Sequence, residues 1–297
     1  MIGGVRLPGL PVASPVKLRI RDCRSSGWSI GCEGMSAMKM TFLGTGTSVG
    51  VPVIGCDCPV CQSPDSHNRR TRSSVVVRHG DTTILVDTGP DLREQALREG
   101  LTSVDAVIYT HAHLDHVVGF DELRAFCWRR AGGLPLYATG SCMETLRTMF
   151  GWAFEAANAK NGGYVRPDPL VIQGELPIGS LRVTPLPVEH GSVETIGLMF
   201  DDGAARLVYL PDVKRVPQAT FELVRGVDAL VVDALRPRDH PTHFTTDEAL
   251  AFAKASGAKR TWLTHLGHEN DHAALAAGLP EGVAVAYDGL TLNVVRD

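Results

Sequence analysis

The chain has 297 residues, of which 44 % are hydrophobic, a net charge of −4 and seven cysteines. This size allows one large core, and no apolar run reaches the ~18–20 residues that a membrane span requires. Few cysteines outside one short cluster favour a reducing compartment over a disulfide scaffold. We therefore predict a cytoplasmic protein without a membrane partner. Nucleic acid is not expected as a partner either, because the net charge is negative and no basic insertion is present.

Residues 1–37 differ in character from the rest of the chain. They are rich in Pro, Gly, Ser and Arg without a sustained period, and Arg6 and Lys17 precede only short apolar runs. A secretory signal therefore fits poorly. We predict a disordered extension over residues 1–37, followed by a single domain over residues 38–297 in which strands and helices alternate.

A cysteine cluster follows the first predicted strand. Its three thiols fall within six residues: Cys56, Cys58 and Cys61. Thiols this close cannot pair among themselves without strain and an odd remainder, but they can converge on one zinc, whose structural sites take four S or N ligands. His268 is our choice for the fourth ligand, and His67 and His272 remain alternatives. A redox motif is the competing interpretation, which the Cys-x-Cys-x-x-Cys spacing weakens.

Two aspartates stand in segments typical of turns. Thr83-Ile-Leu-Val-Asp87 ends in a carboxylate directly after an apolar run, and Thr88-Gly89 follows it. Asp288 lies in Tyr287-Asp-Gly289, a pattern typical of a hairpin turn. Both positions are consistent with ordinary turn residues.

The most informative motif is a run of histidines after a buried strand. Ala106-Val-Ile-Tyr-Thr110 has the β-branched and aromatic composition of a strand, and four potential metal ligands follow it within six residues: His111, His113, Asp115 and His116. Imidazole and carboxylate suit zinc, manganese and iron. A solvated polar loop is the alternative. The spacing favours two metal ions that share a water.

Three further predicted strands are each followed by one potential metal ligand. Leu181–Val188 is followed after Glu189 by His190, Arg206–Leu210 leads through Pro211 to Asp212, and Arg260–Thr264 ends at His265. Alone, each is consistent with a surface histidine, a turn aspartate or a buried core histidine. Together they favour a metal site, since each follows the carboxyl end of a strand.

His243 precedes a predicted helix. Pro241-Thr-His243-Phe-Thr-Thr-Asp-Glu-Ala249 opens a helical run over Asp247–Ser256. Thr245 or Thr246 can serve as the N-cap, with His243 an ordinary loop neighbour. His240 is a second histidine close enough to compete for any role assigned to His243.

These motifs together resemble a known family. The His-x-His-x-Asp-His run resembles the signature of the metallo-β-lactamase-fold hydrolases, whose α/β fold is a four-layer αββα sandwich. With Gly44–Pro52 and the cysteine cluster, residues 38–297 resemble the subfamily of the phosphoribosyl 1,2-cyclic phosphate phosphodiesterase of phosphonate degradation. The segment around His243 is similar to a motif of tRNase Z, in which the histidine protonates the leaving alkoxide.

The resemblance implies roles for particular side chains. One metal would be held by His111, His113 and His190. The second would be held by Asp115, His116 and His265. Asp212 would bridge the two metals, and Asp87 would orient a ligand imidazole by accepting its other N–H. The cysteines and His268 would hold a separate structural zinc.

We therefore predict a metal-dependent phosphoric diester hydrolase that acts on a small, cyclic phosphodiester. Two divalent metals, manganese or zinc, would activate a hydroxide that Asp115 orients, and His243 would act as the general acid. One alternative is a thioester or lactone hydrolase of the glyoxalase II type, which does not need that acid. Another is a non-catalytic, metal-bound carrier or binding protein. The substrate is expected to be a small molecule, and a homodimer is compatible with the sequence.

Overall fold

The computed structural model describes residues 37–158 and 163–296. Of the predicted extension over residues 1–37, only Ala37 falls within this part of the chain, so that prediction and its domain boundary remain untested. No helix in the two described ranges is long and apolar enough to cross a lipid bilayer.

Fourteen strands are present in the described residues. In chain order they are β1 (Met38–Gly44), β2 (Ser74–His79), β3 (Thr82–Val86), β4 (Ala106–Ile108), β5 (Leu134–Ala138), β6 (Pro167–Val171), β7 (Leu176–Ile178), β8 (Leu181–His190), β9 (Val193–Asp201), β10 (Arg206–Leu210), β11 (Ala229–Asp233), β12 (Thr261–Thr264), β13 (Val283–Val285) and β14 (Thr291–Val294). They form two seven-stranded sheets, with orders β14-β1-β2-β3-β4-β5-β6 and β13-β12-β11-β10-β9-β8-β7.

The helices lie between these strands. The α-helices are α1 (Leu92–Arg98), α2 (Leu114–Val117), α3 (Arg124–Cys127), α4 (Gly140–Met149), α5 (Gly151–Phe154), α6 (Gln218–Val224), α7 (Thr246–Ser256) and α8 (His272–Ala277). Short 3₁₀ helices cover Ser66–Asn68, Val118–Leu123 and Ala156–Asn158.

The strand residues alternate between two apolar layers. In β2, Val75 and Val77 belong to the core between the two sheets, whereas Val76 belongs to the apolar cluster on the opposite face, together with residues of α1 and α4. In β10, Tyr209 belongs to the same central core, and Val208 belongs to the cluster on the outer face of the second sheet, together with residues of α6 and α7. This period of two, with apolar residues on both faces, is expected of strands covered on both sides. The predicted four-layer αββα sandwich is confirmed.

One edge of the sandwich collects the ends of the parallel strands. β3, β4 and β5 run parallel in the first sheet, as do β10, β11 and β12 in the second. β8 has the same direction as β10, because each is antiparallel to β9. The segments after β3, β4, β8, β10, β11 and β12 therefore meet at a single edge, where open α/β sheets place their sites.

Candidate metal centre

Three histidines from two sheets meet at this edge. Nε2 of His111 lies 2.9 Å from Nδ1 of His113, which lies 3.2 Å from Nε2 of His190. His111 and His113 flank the point where the chain leaves β4 and enters α2, and His190 ends β8. Burial lowers the pKa of all three imidazoles, His111 most strongly, and so favours the neutral form that binds metals.

A second group surrounds the carboxylate of Asp212. Oδ2 of Asp212 lies 3.1 Å from Nε2 of His116, and its Oδ1 lies 3.2 Å from Nε2 of His265. Asp115 approaches the same two rings, at 3.4 Å from His116 and 3.8 Å from His265. Oδ1 of Asp212 is also 3.9 Å from Nε2 of His190, so that this carboxylate borders both groups.

The carboxylates of the second group favour positive charge on the groups between them. Burial opposes a charged imidazole at His116, but Asp212, Asp87 and Asp115 raise its pKa well above the ordinary value. Burial likewise opposes charge on His265, while Asp212 and Asp115 raise its pKa to about 9. Carboxylates packed this densely around buried imidazoles can be balanced by protons or by metal cations.

The donor atoms fit divalent cations. Nε2 of His116, Oδ2 of Asp212 and both ring nitrogens of His265 are buried without a hydrogen-bond partner in the described part of the chain. Buried polar atoms are almost always paired, so several orphaned atoms at one place indicate a missing ligand. Nitrogen and carboxylate donors within 4.8 Å of one another suit zinc or manganese.

Asp87 braces one of these rings. Its Oδ2 lies 2.8 Å from Nδ1 of His116, and its two oxygens also accept hydrogen bonds from the amide and hydroxyl of Thr110, at 2.8 Å each. Asp87 is fully buried and has a φ of 62°, a left-handed conformation that non-glycine residues seldom adopt. It therefore fixes which nitrogen of His116 faces the second group.

His243 lies against both groups and is held by a residue that the sequence analysis missed. Nδ1 of His243 is 2.7 Å from Oδ2 of Asp233, at the end of β11, and its ring stacks on His265 at 4.7 Å. Burial raises the pKa of Asp233 and lowers that of His243 to about 4. Ala229-Leu-Val-Val-Asp233 has the same pattern of an apolar run ending in aspartate that singled out Asp87.

Thr245 is the N-cap of α7, one of the two positions that the sequence allowed. The hydroxyl of Thr245 accepts from the amide of Glu248, whose side chain accepts from the amide of Thr245. This capping box starts α7 two residues after His243. It fixes the segment that carries the histidine, so the cap and the site belong to one local structure.

The cysteines converge on one histidine. The sulfurs of Cys56, Cys58 and Cys61 lie 3.3, 3.6 and 3.5 Å from Nδ1 of His268. This donor set of three sulfurs and one nitrogen fits tetrahedral zinc. The alternatives for the fourth position, His67 and His272, are not part of this donor group, and their rings stack on each other at 4.5 Å.

The hairpin interpretation of Asp288 is wrong. β13 and β14, on either side of it, belong to different sheets. Its side chain is 8 % exposed and accepts four hydrogen bonds, from the amides and hydroxyls of Thr45 and Thr71, at 2.6–2.9 Å. Asp288 lies in the segment that connects β13 of the second sheet to β14 of the first. It therefore links this segment to the chain after β1 and to the chain before β2.

The chain is similar to a known family and to solved structures. The family described as "Beta-lactamase superfamily domain" matches residues 82–266. The solved structure of a diphosphatase from the PhnP family is 38 % identical with a TM-score of 0.80, and the match covers 87 % of this chain and 97 % of that one.

Curated relatives bear more varied names. An octanoyltransferase of Porphyromonas gingivalis is 34 % identical over 85 % of this chain, but the chain spans only 51 % of that protein's length. A coenzyme PQQ synthesis protein B of Methylobacterium radiotolerans is 27 % identical, with 86 % of this chain and 100 % of that protein covered. These names do not agree on one activity.

Proposed function

The chain belongs to the beta-lactamase superfamily, and from this premise we propose that it is a metal-dependent hydrolase of a small, cyclic phosphodiester. The observation that carries the proposal is the position of His243, which is braced by Asp233 and packed beside two groups of metal-ligand types. A proton donor at such a place serves a reaction whose leaving group departs as an alkoxide.

We assign the ligands as the sequence predicted. His111, His113 and His190 would hold one cation, Asp115, His116 and His265 the other, and Asp212 would contact both. Two zinc or manganese ions held in this way would polarise the phosphoryl oxygens and lower the pKa of a water molecule. A third ion, zinc, would lie among the cysteines and His268 in a structural role.

Asp115 is suited to orient the attacking water. Its side chain is 11 % exposed, whereas that of His116 is fully buried, so this carboxylate borders the open side of the site. Burial would raise the pKa of Asp115, but His116 and His265 lower it well below the ordinary value. The group is therefore ionised at neutral pH and can accept a hydrogen bond from water.

His243 is suited to protonate the leaving oxygen. Because its Nδ1 is engaged by Asp233, Nε2 is the nitrogen left for the substrate. Asp233 fixes the ring orientation, as a buried carboxylate does for a catalytic histidine in hydrolases. Burial and His265 lower the pKa of His243 to about 4, so the role as general acid requires that the ring is protonated when substrate is bound.

The relatives support cleavage of a bond to phosphorus. The diphosphatase of the PhnP family, which the chain matches over nearly that protein's whole length, acts on a phosphorus–oxygen bond by its name. The name of the PQQ synthesis protein gives a biosynthetic role and no reaction, so it does not decide between the phosphodiesterase and the carrier alternative. The octanoyltransferase gives weak support for acyl chemistry, because half of that protein lies outside the match.

A substrate panel tests the proposal. The purified full chain, loaded with Zn²⁺ or Mn²⁺, would be assayed against a cyclic phosphodiester, bis(p-nitrophenyl) phosphate, a diphosphate and a thioester. We expect turnover of the phosphodiesters, abolished by a chelator and restored by metal. Turnover of the diphosphate alone would redirect the assignment to phosphoanhydrides, and turnover of the thioester alone to acyl hydrolysis. Bound metal without any turnover would support the carrier alternative.

A further inference from the structure

A buried arginine outside the two metal groups has no role in the proposed reaction. Arg70 is 1 % exposed and is among the largest fully buried side chains of the described residues. Its guanidinium donates to three neutral oxygens: the carbonyls of Gly267 and Asn270, at 3.2 and 2.8 Å, and Oδ1 of Asn68, at 3.0 Å. Burying a cation against neutral acceptors is costly, and burial accordingly lowers its pKa to about 10.

The two carbonyls that Arg70 contacts flank the cysteine-site histidine. Gly267 directly precedes His268, and Asn270 follows it by two residues. The main chain of Arg70 pairs with Val51, through amide–carbonyl bonds of 2.7 and 2.8 Å in both directions. Arg70 therefore joins the loop that enters the cysteine cluster to the segment that carries its fourth donor.

The same segment carries a proposed ligand of the binuclear centre. His265 and His268 are three residues apart, and each faces a different group of donor atoms. The intervening main chain is held from two sides, by Leu266 N–H to the carbonyl of Thr45 at 2.9 Å and by Gly267 N–H to the carbonyl of Leu235 at 2.8 Å. The guanidinium of Arg70 completes this frame from a third direction.

The main-chain conformation of His265 depends on such surrounding contacts. Its φ of 56° lies in the left-handed region, which residues with a Cβ adopt only when surrounding contacts maintain it. Its Nε2 approaches only the carboxylates of Asp212 and Asp115, at 3.2 and 3.8 Å, which are themselves proposed ligands, and its Nδ1 is buried without a hydrogen-bond partner in the described residues. Its orientation therefore depends also on the main chain from residue 264 to residue 270.

We infer that Arg70 is a positioning residue that couples the cysteine site to the binuclear centre. By holding the carbonyls on both sides of His268, it sets the path of the segment so that His265 faces Asp212 while His268 faces the cysteines. The inference rests on the proposed two-metal centre. It predicts that loss of the guanidinium weakens metal binding at both places, although Arg70 touches neither donor group.

The substitution Arg70→Lys tests the coupling. It keeps a positive charge, but a single ammonium group cannot span both carbonyls and Asn68. Asn68→Ala is the second variant, which leaves the arginine in place and removes one of its three acceptors. Arg78→Met is the control, because Arg78 is a half-buried arginine at the far end of β2 from the site.

Cobalt loading provides a readout that does not depend on activity. In the full-length protein, a thiolate-to-cobalt charge-transfer band reports on the cysteine cluster, and the ligand-field bands report on the His/Asp groups. We expect Arg70→Lys to weaken cobalt binding at both by about tenfold or more, the usual scale for residues that orient metal ligands, and Asn68→Ala to act in the same direction. Arg78→Met should match the wild type.

The outcomes separate this inference from the proposed function. If Arg70→Lys and Asn68→Ala bind cobalt at both places as the wild type does, the coupling is wrong and the two-metal centre stands. Weakening at the cysteine cluster alone would also overturn the coupling. If the wild type itself binds cobalt only at the cysteines, the proposed binuclear centre fails, and the inference fails with it. Should Arg70→Lys not fold, Asn68→Ala decides the question alone.

Discussion

Nδ1 of His243 lies 2.7 Å from Oδ2 of Asp233, a carboxylate with no exposed surface at the end of β11. The pair joins a loop histidine to a strand of the second sheet, and it lies beside the proposed metal ligands, with His243 near enough to His190 and Asp212 to share an ion with them. Oδ1 of Asp233 has no hydrogen-bond partner among the described residues. The arrangement suits a histidine whose ring must keep one orientation while Nε2 exchanges a proton.

Asp233→Asn should slow hydrolysis by about tenfold or more while leaving the metal content unchanged. The amide keeps the size of the carboxylate but cannot stabilise positive charge on His243, and it can present the wrong hydrogen-bonding group to Nδ1. Steady-state rates on an alkyl phosphodiester and metal analysis of the same preparation check this. Loss of a metal in the variant would instead place Asp233 among the groups that hold the centre together.

His243→Ala should depend on the leaving group. Diesters with poor alkoxide leaving groups should slow by about 10²–10⁴-fold, whereas a p-nitrophenyl ester should be affected much less because p-nitrophenolate departs without a proton. His240→Ala is the matched control, since this histidine lies nearby with a ring separation of 5.0 Å from His243. It should retain most activity on both substrates.

Three results are possible for His243→Ala. Equal loss on all substrates together with missing metal would make His243 a ligand. No loss on any substrate would leave it a loop residue, and the acyl-hydrolase alternative would then be preferred. Only a loss that grows with the basicity of the leaving group agrees with the proposed general acid.

The sequence predicts the donors better than it predicts the residues that hold them. His190 and His265 could be located because each follows an apolar run that marks a strand, and strand ends of one direction meet at one edge. Asp233 also follows an apolar run, but the sequence analysis assigned no ligand to the strand that it ends. Asp288 lies in a turn, as predicted, but the turn does not join a hairpin, and the partners of its side chain, Thr45 and Thr71, are more than 200 residues away in the chain.

Backbone conformation is a further limit of the sequence. The residues around Asp87 and His265 do not predict a left-handed φ, because few non-glycine residues adopt it and tertiary contacts must maintain it at both positions. His268 was chosen over His67 and His272 by its nearness to His265 in the chain. The separation of the three rings in space became visible only with the fold.

Asp212→Ala should lose at least one of the two proposed catalytic metals and nearly all hydrolysis. Its carboxylate borders both donor groups, and its removal would leave buried imidazoles without their common counter-charge. Metal analysis after dialysis, with the exposed Asp239→Ala as control, checks this. Full activity with both metals still bound would rule out the binuclear assignment.

Cys58→Ser should release about one zinc and lower the melting temperature, because a structural zinc contributes its binding free energy to folding. A serine hydroxyl is a poor zinc ligand, and the remaining two sulfurs and His268 cannot complete a tetrahedral site. Cys142→Ala is the control, since this buried cysteine lies in α4, away from the cluster, and its loss should leave the metal count unchanged even if stability falls. The zinc content and thermal unfolding of the two variants would be compared with the wild type. Unchanged zinc in Cys58→Ser, at an unchanged melting temperature, would mean that the cysteines do not hold a structural metal. Their convergence on His268 would then need another explanation.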